Sequence, residues 1–141
     1  MGRRDYPERP LVGAGAVIIR GDQVVLVKRG RPPLAGEWSI PGGVVKLGET
    51  LRQAAEREAR EETGLEIEAG EVLEVFESIT PDAQGKTCYH YVIVDFLCRV
   101  EYGELRAGGD ALEAKWARAE ELAGLKVSRA ARGVILKAMQ H

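Results

Sequence analysis

The stretch GETLRQAAEREAREETGL, residues 48–65, has the periodicity of a helix and places acids where a helix should be apolar. At roughly 100° per residue, Leu51, Ala54 and Ala55 share one side, and Leu65 falls on the same bearing just past the end. Glu58, Glu61 and Glu62 fall on that side too. Arg52, Gln53, Glu56, Arg60 and Thr63 form the opposite side, which has the composition of a solvated face. Both ends are marked: Thr50 with Gln53 three residues later fits a capping box, and Gly64 can take the left-handed conformation that closes a helix.

A helix facing water would account for Glu56 with Arg60, an i, i+4 pair. It accounts poorly for Glu58 and Glu62, because the water-facing side is already taken. An uncompensated buried carboxylate costs several kcal/mol against a total stability of about 5–15 kcal/mol, so three of them need counter-charge. Arg57, four residues before Glu61, is the nearest candidate, and one arginine does not neutralise three acids. A hard divalent cation does, because Mg²⁺ takes oxygen ligands from one or two carboxylates, waters and substrate phosphates.

The chain has 141 residues, 45% of them hydrophobic and 30% charged, with a formal net charge of −2. That length suits one domain over residues 1–141 with a core of its own, residues 1–10 being expected as a flexible arm. The charge gives no electrostatic case for general nucleic-acid binding. No apolar stretch approaches the roughly 18–20 residues of a membrane span, and acids interrupt the opening residues that otherwise mimic a signal peptide. Cys88 and Cys98 fall in one expected strand, about 33 Å apart at ~3.3 Å per residue, far beyond the ~7 Å that a disulfide allows. Neither has a zinc-type spacing, and a reducing, cytoplasmic setting is expected.

Around the helix, GAVIIR and QVVLVKRG flank a Gly-Asp pair at 21–22, the signal for a tight hairpin. A strand is expected to include WSIPGGVV, then after the helix come the strand EVLEVFESIT, the turn PDAQGK and the long strand TCYHYVIVDFLCRVE. RAGGDA is expected as a loop, LEAKWARAEEL as a strand followed by a helical turn, and 128–140 as a final amphipathic helix. The order implies an α+β class with helices packed on a mixed sheet.

Residues 43–65, GVVKLGETLRQAAEREAREETGL, resemble the Nudix box, whose pattern is G, five residues, E, seven residues, then R-E-U-x-E-E-x-G-U with U a bulky aliphatic residue. Gly43, Glu49, Arg57, Glu58, Glu61, Glu62, Gly64 and Leu65 fit, and Ala59 departs at the first aliphatic position. The resemblance implies an α/β/α sandwich and a Mg²⁺- or Mn²⁺-dependent hydrolase of a diphosphate linkage in a nucleoside diphosphate derivative. It further implies Glu58 and Glu62 as metal ligands, Glu61 as a further ligand or partner of Arg57, and the Gly42 carbonyl as a backbone ligand. VKRGRPPLAGEWSIPGG, YHYVIVDFL and DALEAKW resemble the branch that acts on ADP-ribose.

Trp38 and Tyr89 or Tyr91 are candidates to stack on a base, each with core packing as the alternative. Arg29 and Arg31 are candidates to bind phosphate. The general base is left open between Glu113, Glu61 and Asp110, with Gly108 and Gly109 able to let their loop close over a substrate. The expected partner is a small nucleoside diphosphate derivative, without nucleic acid or membrane and with a homodimer left open. Two alternatives remain at this stage: a nucleoside triphosphate pyrophosphohydrolase, and a non-catalytic nucleotide-sensing or RNA-binding domain.

Overall fold

The computed structural model describes residues 4–32 and 34–141. Strand β1 (Leu11–Arg20) turns at Gly21, whose φ of 62° is a glycine conformation, into β2 (Gln23–Arg29). The single strand expected around WSIPGGVV is instead two short ones, β3 (Trp38–Ser39) and β4 (Gly42–Val44). Pro41, buried between them, has no N–H to continue a ladder. Its carbonyl accepts from Ala16 N–H at 2.8 Å. Helix α1 (Leu51–Thr63) leads to the long strands β5 (Glu66–Pro81) and β6 (Thr87–Tyr102). Strand β7 (Ala111–Arg118), a 3-10 turn (Ala119–Gly124) and α2 (Arg129–Met139) complete the chain.

The strand order is β3-β2-β1-β6-β5, with β4 pairing β1 and β7 pairing β2. Among the described strands only β1 with β6 is parallel, so the sheet is mixed. Strand β1 divides its outer edge: Gly13–Gly15 pair with β4, whereas Ile19 and Arg20 pair with β2. Strand β2 then diverges to meet β3 through Val27 and Lys28. The sheet therefore opens between β4 and β3.

Alternation along β1 assigns the two faces. Ala14, Ala16 and Ile18 pack with Ala54, Ala55 and Ala59 of α1, together with Val94 and Phe96 of β6. Val17 faces the other way, with Leu73, and packs against Ala131, Val134, Ile135 and Ala138 of α2. The alanines on α1 let the helix lie close to the sheet. The result is a helix–sheet–helix sandwich, the α+β arrangement expected from element order.

Candidate active site

Helix α1 has the caps expected of it. Thr50 accepts from Gln53 N–H at 3.1 Å, Gln53 returns a bond to Thr50 N–H at 2.9 Å, and Gly64 takes φ 73°. Fixed in this way, one turn of the helix presents Glu58 and Glu62 to strand β4. Gly43 leaves room for Glu58 where it stands, because a Cβ would sit 2.5 Å from the Glu58 carboxyl carbon and displace that carboxylate. Gly42 opposes Gly15 while the flanking pairs carry the ladder bonds, so its N–H and carbonyl both point away from β1. That N–H donates to Glu62 Oε1 at 2.9 Å. Glu62 is thereby held beside an outward-facing carbonyl.

Arg57 ties the rest together. Its Nε and Nη2 donate to the two oxygens of Glu49 at 2.7 and 3.0 Å, Nη2 also reaches the Val44 carbonyl at 3.1 Å, and Nη1 reaches Glu58 at 2.7 Å. Its contact with Glu61 is longer, 3.3 Å, and Glu61 is half-exposed. Arg57 thus braces Glu49 and Glu58 first and Glu61 only loosely. Hydrogen bonding to Arg57 holds the Glu49 carboxyl below its ordinary value. Glu62 goes the other way: burial, opposed by the Gly42 N–H and reinforced by the Glu58 charge, pushes it up to about 8.

Glu58 and Glu62 stand in the wall shared by two adjoining cavities of about 610 and 430 Å³. The larger runs over the bare backbone of Gly13 and Gly15 and is lined by Phe76, Tyr89, Tyr91, Ile93 and Asp95 from one face of β5 and β6. Arg29 and Arg31 reach it from the end of β2 and the loop after it. The smaller is lined by Val45, Lys46, Arg57 and Glu61, and Asp110 borders both. Among the described residues, no three acid, imidazole or thiol groups converge closely enough to grip an ion unaided. Two carboxylates and a carbonyl, with water and substrate phosphate completing the shell, are a donor set that suits Mg²⁺.

A family model of the NUDIX domain matches residues 9–138. The chain belongs to the NUDIX domain family. Among curated relatives it is 37% identical over 107 residues to an ADP-ribose pyrophosphatase of Methanocaldococcus jannaschii, covering 76% of this chain and 61% of that protein. Over 58 residues it is 55% identical to a putative 8-oxo-dGTP diphosphatase 2 of Mycobacterium tuberculosis, 40% of each chain. This chain thus spans less than two thirds of either curated relative. The crystal structure of a MutT NUDIX hydrolase from Burkholderia pseudomallei superposes with a TM-score of 0.77 at 32% identity, over 92% of this chain and 98% of that one.

Within this NUDIX fold the structure brings together Gly42, Glu58, Glu62, Arg29, Arg31 and Tyr89, and it sets other expected residues elsewhere. Trp38 is outside the cavity wall; it packs in the α2-side core with Lys115 Nζ 5.8 Å from its ring. Glu113 is in strand β7, 59% exposed, and pairs with Lys28 at 3.4 Å outside both cavities. Gly108 and Gly109 crowd the end of α1: a Cβ on Gly108 would meet the Glu61 carbonyl at 2.6 Å, so the glycines serve close packing. Thr63 is buried rather than solvated, donating to the Ala59 carbonyl at 2.6 Å. Glu56 accepts from Ala69 N–H, and Arg60 pairs with Glu66 instead.

Two features of the site were missed in the sequence. Residues 4–10 of the expected arm are tied down, with Tyr6 N–H donating to the Cys88 carbonyl at 2.7 Å and Tyr6 OH to Asp82 at 2.9 Å; residues 1–3 lie outside the described residues. Arg4 consequently lines both cavities. Asp95 was passed over inside an apolar strand, although it shares the alternation of Tyr89, Tyr91 and Ile93.

Proposed function

We propose that the chain hydrolyses the diphosphate linkage of a nucleoside diphosphate sugar, with ADP-ribose giving AMP and ribose 5-phosphate, in a reaction that depends on Mg²⁺ or Mn²⁺. The observation that carries this reading is the position of Glu58 and Glu62 in the wall between two cavities. A diphosphate at that junction has room for a nucleoside on one side and a sugar phosphate on the other. Cavities of this size suit small organic ligands. The ADP-ribose pyrophosphatase relative supports the substrate class.

In this reading Glu58, Glu62 and the Gly42 carbonyl hold the cation, which when bound neutralises diphosphate oxygens and lowers the cost of activating water. Arg57 holds Glu58 in place. Arg29, Arg31 and Arg4 offset phosphate charge along the cavities. Tyr89 and Tyr91, whose rings lie 6.4 Å apart and nearly parallel, give the base an aromatic wall. Glu61 and Asp110 border the junction and are the acids positioned to take a proton from the attacking water. The same reading puts the chain in a reducing cytoplasm, in keeping with the unbridged thiols Cys88 and Cys98.

The 55% identity to a putative 8-oxo-dGTP diphosphatase favours a second reading, release of pyrophosphate from a nucleoside triphosphate. Product analysis separates the two. Incubation with ADP-ribose and Mg²⁺ should yield AMP and ribose 5-phosphate, and chelator should abolish the reaction. Pyrophosphate from a triphosphate, with ADP-ribose left intact, would transfer the assignment to the second reading.

A further inference from the structure

Asp95 lies on the floor of the larger cavity and takes no part in the chemistry above. Its residue is 2% exposed and its carboxyl makes no hydrogen bond with any described residue. The oxygens are not sealed in, since none is both fully buried and unpartnered, and the residue borders the cavity. Space is reserved for them: a Cβ on Gly15, the neighbour of Asp95 on β1, would collide with Oδ1. A buried polar group without a protein partner is costly, and such groups normally have one.

The surroundings restrict what that partner is. Ile93 and Tyr91 continue the same face of β6, Phe76 flanks them on β5, and Ile40 approaches the same space over Gly15. Ala130 and Ala131 of α2 complete the wall. The charge that acts on Asp95 is another acid, Glu74, its neighbour across the strand pair. Phosphate is unwelcome at such a spot. A flat ring carrying an N–H donor fits it.

Resting on the reading that this cavity holds the nucleoside, we propose that Asp95 recognises the amino-bearing edge of the base, an exocyclic amine beside a ring nitrogen as in adenine or cytosine. The amine donates to one carboxyl oxygen, and the other oxygen faces the ring nitrogen. Burial, with Glu74 adding to it, pushes Asp95 up to about 7. The protonated acid, well populated near neutrality, offers an acceptor and a donor side by side and complements that edge.

The test compares substrates that differ only in replacing the amine by hydrogen, because a protonated carboxyl pairs as well with an oxo group beside a ring N–H. Wild-type enzyme should favour ADP-ribose over purine riboside diphosphate ribose, which carries hydrogen in place of the amine, by at least about tenfold in kcat/KM, since a site built around a substrate N–H rejects the analogue lacking it. Asp95→Asn keeps an acceptor and a donor and should retain the preference, whereas Asp95→Leu should bring the ratio to within about twofold of one. Calorimetric binding of AMP against purine riboside monophosphate to the wild-type protein repeats the comparison without turnover or a variant that must fold. Equal handling of the two ligands by the wild type, or a preference that survives in Asp95→Leu, overturns the proposal. If only nucleoside triphosphates are cleaved, the substrate reading above fails on its own, and ATP against purine riboside triphosphate still decides the role of Asp95.

Discussion

Glu62 and Asp95 are both carboxyls that the fold takes out of water, and the consequences differ because one has a hydrogen-bond partner among the described residues and the other has none there. Glu62 sits up at about 8, so binding a cation near neutrality requires it to lose a proton. Stabilisation by Mg²⁺, followed as a thermal shift, should therefore grow as pH rises from about 6.5 to 8.5, and Glu62→Gln should lose both the shift and at least about 10²-fold in turnover. An unchanged rate in Glu62→Gln would remove the metal assignment. For Asp95 the folded value, about 7, lies above the ordinary carboxylate range, so the folded chain retains a proton that the unfolded chain releases. Its contribution to stability is fully present below about pH 4 and is lost as pH rises towards 7, with a ceiling on the order of 4 kcal/mol. Asp95→Asn should thus raise the melting temperature at pH 7–8 and change it little at pH 4; melting curves across that range check the sign. Glu58 and Glu62 were legible in the sequence because helical spacing exposes an acid on an apolar side. Asp95 was not, because one acid in an alternating strand reads as an outward residue until the opposite sheet face is known to carry a cavity.

At the scale of elements, α1 was legible almost entirely, from its capping box to Gly64, because caps are local chemistry. Thr50→Ala should cost about 1 kcal/mol of stability and leave turnover unchanged, since the cap lies about two helical turns before Glu58 and about three before Glu62. What α1 packs against was not legible. Gly43 reads as a turn glycine, yet it lies in β4 and makes room for Glu58. Gly43→Ala should displace that carboxyl and cost far more activity than stability, a contrast that kinetics and melting curves on the same sample will show. Strand β7 runs where LEAKW was expected to, from Ala111, and β2 gives it an edge, with Lys28 opposite Glu113. Glu113→Gln is therefore expected to keep its turnover. The loss of about 10²–10⁴-fold due to a missing base should fall on Glu61→Gln or Asp110→Asn. A large loss in Glu113→Gln would mean that the strand end moves into the site when substrate binds.

For the whole molecule, the site follows from how β1 divides its partners. Pairing with β4 at one end and β2 at the other opens the sheet, and the gap becomes the cavity between α1 and α2. Element order alone could give the sandwich but not this divergence, because it depends on Pro41 breaking one expected strand into two. The N-terminal segment closes the rim. Tyr6 anchors it at the far end of β5 and β6 through Asp82, with Lys86 Nζ 5.1 Å from its ring, and this places Arg4 and Asp5 against the cavity. Only the ends of that chain of contacts are polar groups of ordinary surface type, which is why the sequence read as a loose arm. If the segment shapes the substrate pocket without touching the reacting atoms, Tyr6→Ala should raise KM for ADP-ribose about three- to tenfold while kcat stays within about twofold, the signature of lost uniform binding. Tyr6→Phe keeps the ring over Lys86 and the backbone bond to Cys88 while losing the bond to Asp82, so its KM should fall between the two. A fall in kcat with KM unchanged would instead place Arg4 or Asp5 in the chemical step.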